Sequence, residues 1–278
     1  TWKFFQRLRD SGSLKPRLSL MMGIQHMDRL LEEGFTPRHG DNDMRIGALK
    51  LMLSEARGCL YPPREEIRGM VAKAHENGFQ IAIHAIEQST VEAAVSVLES
   101  VYEKKPKDNF RHRIEHCSVC PDTLLDRMEN IRALVVTQPS FVYHSGERYL
   151  ETVPEEQQPL MYRLSSFLKS GLKPCAGSDN PVAPVNPLLS MHAAVNRKTQ
   201  QGNAFFSRER VLPSVALEMH TRAAAYASFD EGVKGTISPG KLADFAILSD
   251  DPLKVAPEKI CDIKVEATII RGEVAWRS

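Results

Sequence analysis

Short apolar runs alternate along the chain with stretches in which apolar residues recur every three or four positions. The short runs predict buried strands, and the recurring pattern predicts amphipathic helices. Strands are predicted at 17–22, 46–53, 79–85, 110–117, 134–138 and 173–179. Helices are predicted at 25–33, 64–77, 91–104, 124–130, 156–170, 186–197 and 208–228. This alternation is typical of repeated β-α units with parallel strands.

A different pattern begins near residue 235. Gly235-Thr-Ile-Ser-Pro-Gly240 is a cluster of turn-forming residues, and such clusters separate structural elements. Strand-forming residues follow at 243–248, 265–270 and 273–276. We therefore predict a β/α domain over residues 1–234 and a small β domain over residues 235–278.

Polar side chains stand on or at the ends of five successive predicted strands: Lys50, His84, His116, Gln138 and Asp179. In a (β/α)8 barrel the active site collects at the carboxyl ends of several strands. A doubly wound nucleotide-binding fold is the alternative, but no glycine-rich phosphate loop follows an early strand. We predict an α/β barrel of the TIM type with about six of its eight strands.

Composition narrows the class of protein. The 278 residues include 36 basic and 35 acidic side chains that are interspersed along the chain, which argues against a nucleic-acid or anionic membrane partner. No apolar run approaches the roughly 20 residues that span a bilayer, and no signal peptide is recognisable. The five cysteines form an odd, scattered set, as expected of reduced thiols in the cytoplasm. Cys117 and Cys120 could form half a zinc site or a redox pair, but we favour ordinary buried thiols.

The side chains at the strand ends suit metal chemistry. Imidazole nitrogen and carboxylate oxygen are ligands of zinc and similar divalent ions. A single histidine in an apolar strand is more often structural, but two on consecutive strands followed by a carboxylate favour a metal site. We expect His84 and His116 to bind metal and Asp179 to act as ligand and general base. Lys50 is costly to bury as a cation, so it must be paired, deprotonated or modified.

The remaining polar residues of the strands are expected to be structural. Glu115 alternates away from His116, so it should pair with Arg111 or Arg113 outside the barrel lumen. A further group of histidines is expected at the surface or around the ligands. This group comprises His112, His144, His192 and His220.

Six segments, in this order, resemble the metal-dependent amidohydrolase superfamily and, within it, the subgroup of YtcJ-like and N-substituted formamide deformylase-like proteins. The segments are Ala48-Leu-Lys50, Ile83-His-Ala-Ile86, His112-Arg-Ile-Glu-His116, Thr137-Gln-Pro-Ser140, Ala176-Gly-Ser-Asp-Asn-Pro181 and Gly240-Lys-Leu-Ala-Asp-Phe-Ala-Ile-Leu248. The resemblance runs from about residue 46 to the end of the chain. It implies a distorted TIM barrel with a β-sandwich assembled from both chain ends, of which residues 235–278 form a part.

The resemblance also implies a chemistry. The expected reaction is hydrolysis of a non-peptide carbon–nitrogen bond, in an amide or cyclic amide, by attack of metal-bound hydroxide. One or two divalent ions, zinc by preference, would be held by Lys50 as a carboxylated lysine and by His84, His116 and Asp179. Asp179 would also move the proton. Residues expected to reach the small-molecule substrate are Gln138, Arg163 and Arg197.

The chain departs from the family pattern at its start. It contains no His-x-His pair, the motif that supplies the first metal ligands of the family from strand one. We therefore expect an N-terminally incomplete barrel, whose unpaired strand edges would favour a homo-oligomer. The alternative is a truncated, catalytically inactive remnant with a regulatory or interaction role.

Overall fold

The computed structural model describes residues 1–56, 58–104 and 109–278. The strands are β1 (Leu18–Gly23), β2 (Met44–Met52), β3 (Ser54–Ala56), β4 (Cys59–Tyr61), β5 (Ile81–Ala85), β6 (Arg113–His116), β7 (Leu134–Thr137), β8 (Cys175–Ala176), β9 (Phe245–Leu248), β10 (Val265–Ile270) and β11 (Glu273–Arg277). The α-helices are α1 (Trp2–Asp10), α2 (Met27–Glu32), α3 (Arg64–Glu76), α4 (Gln88–Lys104), α5 (Asp122–Asn130), α6 (Ser140–Thr152), α7 (Leu164–Lys169), α8 (Pro187–Asn196), α9 (Pro213–His220) and α10 (Arg222–Ala227). Short 3-10 helices lie at Ile24–His26, Gln158–Leu160, Ser207–Glu209 and Pro257–Asp262.

The main sheet has six parallel strands in the order β1-β2-β5-β6-β7-β8. Each strand lies beside the previous strand of the sheet, and helices connect most of them, as in a TIM barrel. Within the residues that the structure describes, the sheet stays open between β1 and β8. The prediction of an α/β barrel with about six strands is confirmed. The β3–β4 hairpin, which was not predicted, follows β2 directly.

Strand register divides the sheet into two faces. Lys50 pairs with Ala82 and Ala82 with Arg113, while His84 pairs with Glu115. Partners on neighbouring strands point to the same side of a sheet. We call the side that carries Lys50, His84, Arg113 and Glu115 the inner face.

The opposite side, the outer face, is apolar. It consists of Leu49, Leu51, Ile81, Ile83, Ile114 and Val135, all buried in one cluster. Side chains of α3, α4 and α5, such as Val71, Val95 and Leu125, pack in the same cluster. The strands of a parallel sheet covered by helices are near-continuous apolar runs in the sequence. This is why these strands could be predicted.

The C-terminal segment forms an antiparallel sheet in the order β11-β10-β9. The predicted strand 265–270 matches β10 at both ends. Ile260 and Ile263 bury their side chains among residues of α8 and α9. These contacts attach the small sheet to the β/α body. The division at residues 234 and 235 stays a prediction.

The prediction of a continuous helix over 156–170 is wrong. A 3-10 helix ends at Leu160, Tyr162 has a left-handed backbone with φ +49°, and α7 begins only at Leu164. The Tyr162 N–H donates to the Ser118 carbonyl, and the Arg197 guanidinium donates to the carbonyls of Met161 and Tyr162. These contacts between distant residues replace the helical hydrogen bonds.

Other boundaries also differ from the prediction. The predicted helix 208–228 is two helices, α9 and α10, which meet at Thr221. The predicted strand 173–179 is shortened to β8, so Asp179 lies three residues beyond it. Helices α1 and α6 were not predicted.

The five cysteines are free thiols, and Cys117 and Cys120 are buried, as predicted. Among the described helices, none is both long and apolar enough to cross a membrane.

Candidate metal centre

His84 and His116 meet at the carboxyl ends of β5 and β6. Their ring centroids are 4.5 Å apart and the ring planes make an angle of 74°. Strand register sets Glu115, not His116, opposite His84, so a regular strand would carry His116 on the outer face. The backbone of His116 is left-handed instead, with φ +69°. This uncommon conformation turns the imidazole towards His84.

Both imidazoles are kept neutral by their surroundings. Burial, with smaller effects of the nearby His116 and Lys50, lowers the pKa of His84 to about 4. Burial also lowers the pKa of His116, although its hydrogen bond with Gln138 and the Asp179 charge oppose the shift. Neutral imidazole is the form that binds a metal ion, so the pair is ready to accept one at neutral pH.

Gln138 follows β7 and contacts the pair. Its side-chain oxygen lies 2.7 Å from Nδ1 of His116, and the residue is 3% exposed. The sequence suggested a contact with substrate for this residue. In the structure, its amide group contacts His116, a proposed metal ligand.

Lys50 lies on the inner face, one strand away from His84. Burial lowers the pKa of its amine, Glu115 and Asp179 raise that pKa, and the Arg113 cation lowers it. The half-buried amine therefore stands among charges of both signs.

The prediction that Glu115 lies outside the lumen is wrong. Its carboxylate accepts two hydrogen bonds from Arg113, at 2.7 and 3.0 Å, as expected for the pairing itself. Register, however, sets Glu115 opposite His84 and Arg113 opposite Ala82, so this buried ion pair is on the inner face. Alternation along β6 alone could not show this, because the turn of His116 breaks the alternation.

Asp179 stands apart from the histidines. It is exposed, its backbone is left-handed with φ +55°, and its carbonyl accepts a hydrogen bond from the Val182 N–H at 2.8 Å. Within residues 1–56, 58–104 and 109–278, no three His, Cys, Asp or Glu side chains form a metal-ligand group. The histidine pair and Lys50 fit a divalent ion as a partial donor set. Asp179 does not complete that set in this conformation.

The two predicted substrate arginines are held by the protein itself. Arg163 donates to the Cys120 carbonyl and to Asp122. Arg197 is fully buried and donates to three backbone carbonyls, those of Met161, Tyr162 and Phe205. Burial lowers the pKa of Arg197 to about 10. Both side chains hold together the loops beside the carboxyl ends of the strands.

His112 was expected at the surface or around the metal ligands, and that expectation is wrong. It is fully buried. Its Nδ1 accepts a hydrogen bond from the Ile81 N–H at 3.1 Å, and its Nε2 lies 2.9 Å from Nδ1 of His75. His112 is a core residue at the start of β6.

A TIM-type barrel places its active site at the carboxyl ends of its strands, and histidine is a common ligand of catalytic metals, so this fold and this histidine pair fit the class of metal-dependent hydrolases. A sequence profile of the amidohydrolase family matches residues 2–275. The chain therefore belongs to the amidohydrolase family.

Two curated relatives match most of the chain. YtcJ of Bacillus subtilis, named as an amidohydrolase, is 28% identical over 216 residues, which cover 76% of this chain and 40% of YtcJ. The N-substituted formamide deformylase of Arthrobacter pascens is 26% identical over 220 residues, which cover 79% of this chain and 40% of the deformylase. The chain thus spans about two fifths of the length of these relatives.

Two solved structures have a similar fold. An uncharacterised metal-dependent hydrolase from Pyrococcus horikoshii superposes with a TM-score of 0.79 at 26% identity, over 91% of this chain and 54% of the other. A zinc complex of the chlorohydrolase TrzN from Arthrobacter aurescens superposes with a TM-score of 0.61 at 14% identity, over 91% of this chain and 55% of TrzN. The second likeness concerns the fold alone.

Proposed function

We propose that this chain carries a metal centre of a hydrolase that cleaves non-peptide carbon–nitrogen bonds in small amides or cyclic amides. The observation that carries the proposal is the contact between His84 and His116, both neutral and both at strand ends of an amidohydrolase-family barrel. Support for the bond type comes from the family and from the relative named as a formamide deformylase.

The proposed roles follow from the surroundings of each residue. His84 and His116 would bind one divalent ion, zinc by preference, and Lys50 would bridge to a second ion as a carboxylated lysine. Burial lowers the pKa of Lys50, which favours the neutral amine that can react with carbon dioxide. When bound, a divalent ion activates water near neutral pH and polarises a carbonyl group.

Asp179 is proposed to move the proton. Its carboxylate is exposed beyond the end of β8, where it can take a proton from water and return it to the leaving amine. The carboxylate also influences the pKa of both Lys50 and His116. Its charge is therefore felt at the proposed site, although it does not complete a ligand group there.

The substrate would lie above the histidine pair. Met52, the register partner of His84, has a side chain on the inner face that is 55% exposed. An apolar substituent of the amide could pack against it. Arg163 and Arg197 are held by backbone carbonyls, so their proposed role is to support the loops around the site and not to contact the substrate.

Zinc binding tests this proposal. The protein purified without chelator should bind at least one equivalent of zinc at the histidine pair, since imidazole nitrogen suits this ion. His84→Ala should abolish this binding, and Asp179→Asn should weaken it. His26→Ala, at an exposed histidine on a short 3-10 helix, is the matched control. Binding that survives His84→Ala would contradict the proposed centre, and no binding by the unchanged protein would favour an inactive remnant.

We also propose that copies of this chain associate. In the described part of the chain, β1 and β8 each have one neighbour in the main sheet, and open strand edges invite pairing. Light scattering coupled to size-exclusion chromatography should show a dimer or larger species. A monodisperse monomer would contradict this.

A further inference from the structure

Gln138 is a buried amide beside His116, and its two ends have different partners. Its side-chain oxygen lies 2.7 Å from Nδ1 of His116, and its side-chain nitrogen lies 3.5 Å from the Val136 carbonyl oxygen. A carbonyl oxygen can only accept a hydrogen bond, so the amide nitrogen belongs on the side of Val136. The reverse orientation would bring two acceptors face to face there.

This orientation decides which nitrogen of His116 carries the proton. The side-chain oxygen of Gln138 is an acceptor, so Nδ1 of a neutral His116 must donate to it. The single ring proton is then on Nδ1, and the lone pair is on Nε2. Because His116 is 4% exposed and Gln138 is 3% exposed, water does not compete effectively for this hydrogen bond.

We infer that Gln138 is a positioning residue that fixes the Nδ1–H tautomer of His116 and so presents Nε2 as the metal-binding atom. The partner of the non-ligating nitrogen generally sets the tautomer and orientation of a ligand histidine. The left-handed backbone of His116 turns the ring towards His84, and Gln138 then holds the ring in one protonation pattern. The effect on metal binding rests on the proposed function, whereas the tautomer does not.

Nitrogen NMR of the metal-free protein tests the tautomer directly. With histidine labelled by 15N, His116 of the unchanged protein at neutral pH should show a protonated Nδ1 and an unprotonated Nε2. Gln138→Leu removes the acceptor, so proton population should move to Nε2. Gln138→Glu keeps an acceptor oxygen at Nδ1, and its buried, protonated carboxyl can donate to the Val136 carbonyl as the amide does, so it should retain the original pattern. A protonated Nε2 in the unchanged protein would overturn the inference without any variant.

Zinc affinity tests the consequence. Gln138→Leu should weaken zinc binding by about 10- to 100-fold, the usual effect of losing such a partner, and Gln138→Glu should bind zinc nearly as well as the unchanged protein. Gln158→Leu is the matched control, because Gln158 is also buried but donates to the carbonyls of Leu150 and Val153.

The possible results separate the two proposals. An unchanged tautomer or an unchanged zinc affinity in Gln138→Leu would overturn the positioning role, as would an equal loss in Gln158→Leu. If the unchanged protein binds no zinc, the proposed function fails, and the NMR result still decides how Gln138 acts on His116.

Discussion

The two faces of the main sheet are built from the same strands but have different roles. On the outer face, Ile81, Ile83 and Ile114 are fully buried beneath helices. On the inner face, the neighbouring positions hold Lys50, His84, Arg113 and Glu115. Side chains alternate along a strand, so a core residue such as Ile83 is next to a residue that can do chemistry, His84. The difference predicts that a single site residue such as His84 can be changed at little cost to the fold, whereas the buried ion pair of the inner face cannot.

The largest effect is expected for the buried ion pair of the inner face. Glu115→Leu would leave the Arg113 cation buried without its partner, which should lower the free energy of unfolding by about 3–5 kcal/mol. Replacing both residues, as Arg113→Met with Glu115→Leu, should recover most of this loss because no unpaired charge remains. Urea unfolding measures both variants.

The Arg127–Glu99 pair provides the control for this prediction, because it is much less buried than the inner-face pair. Glu99→Leu should cost about 1 kcal/mol or less. If Glu115→Leu costs no more than Glu99→Leu, the ion pair is not important for the stability of the inner face.

Adjacent residues of β5 provide a direct comparison of the faces. Ile83→Ala should lower the free energy of unfolding by about 2–5 kcal/mol, since it opens a cavity in the outer-face core. His84→Ala should change it by about 1 kcal/mol or less, because His84 is only half-buried. Urea midpoints at a constant slope give both values. An equal loss in the two variants would show that His84 is as important for stability as Ile83.

The sequence predicted the outer face better than the inner face. Apolar runs such as Ile81–Ala85 report burial directly, so the six strands and most connecting helices were located. The contact of His84 with His116 was also anticipated. The elements that were predicted wrongly depend on contacts between residues far apart in the sequence. Arg197 interrupts the predicted helix 156–170 by binding carbonyls 35 and 36 residues away.

The roles of individual inner-face residues were harder to predict for a similar reason. Gln138 could be located at a strand end from sequence, but not its contact with His116, which joins residues 22 positions apart. The side of the sheet taken by Glu115 depends on strand register and on the left-handed backbone of His116. Positive φ at a non-glycine residue is only weakly signalled in a single sequence, even for histidine, which adopts it more often than most residues.

The smallest expected effect concerns His112, a core residue just before the first residue of β6. Burial, with a smaller effect of His75, lowers the pKa of His112 to about 3. The rings of His75, Tyr102 and Phe110 surround it. Burial also raises the pKa of Tyr102 to about 12, so the phenol adds no charge between pH 5 and pH 7.

The sign of the pH effect follows from these values. Because the pKa of His112 is lower in the folded than in the unfolded protein, its contribution to stability is fully present above about pH 6.5 and is lost as pH falls towards 3. Between pH 7 and pH 5 the loss should be about 2 kcal/mol. His112→Asn removes the titration and retains a side-chain acceptor for the Ile81 N–H, so its stability should vary less with pH by that amount. His26→Asn, at the surface, should keep the original pH dependence, and parallel profiles for all three proteins would show that His112 already titrates normally in the fold.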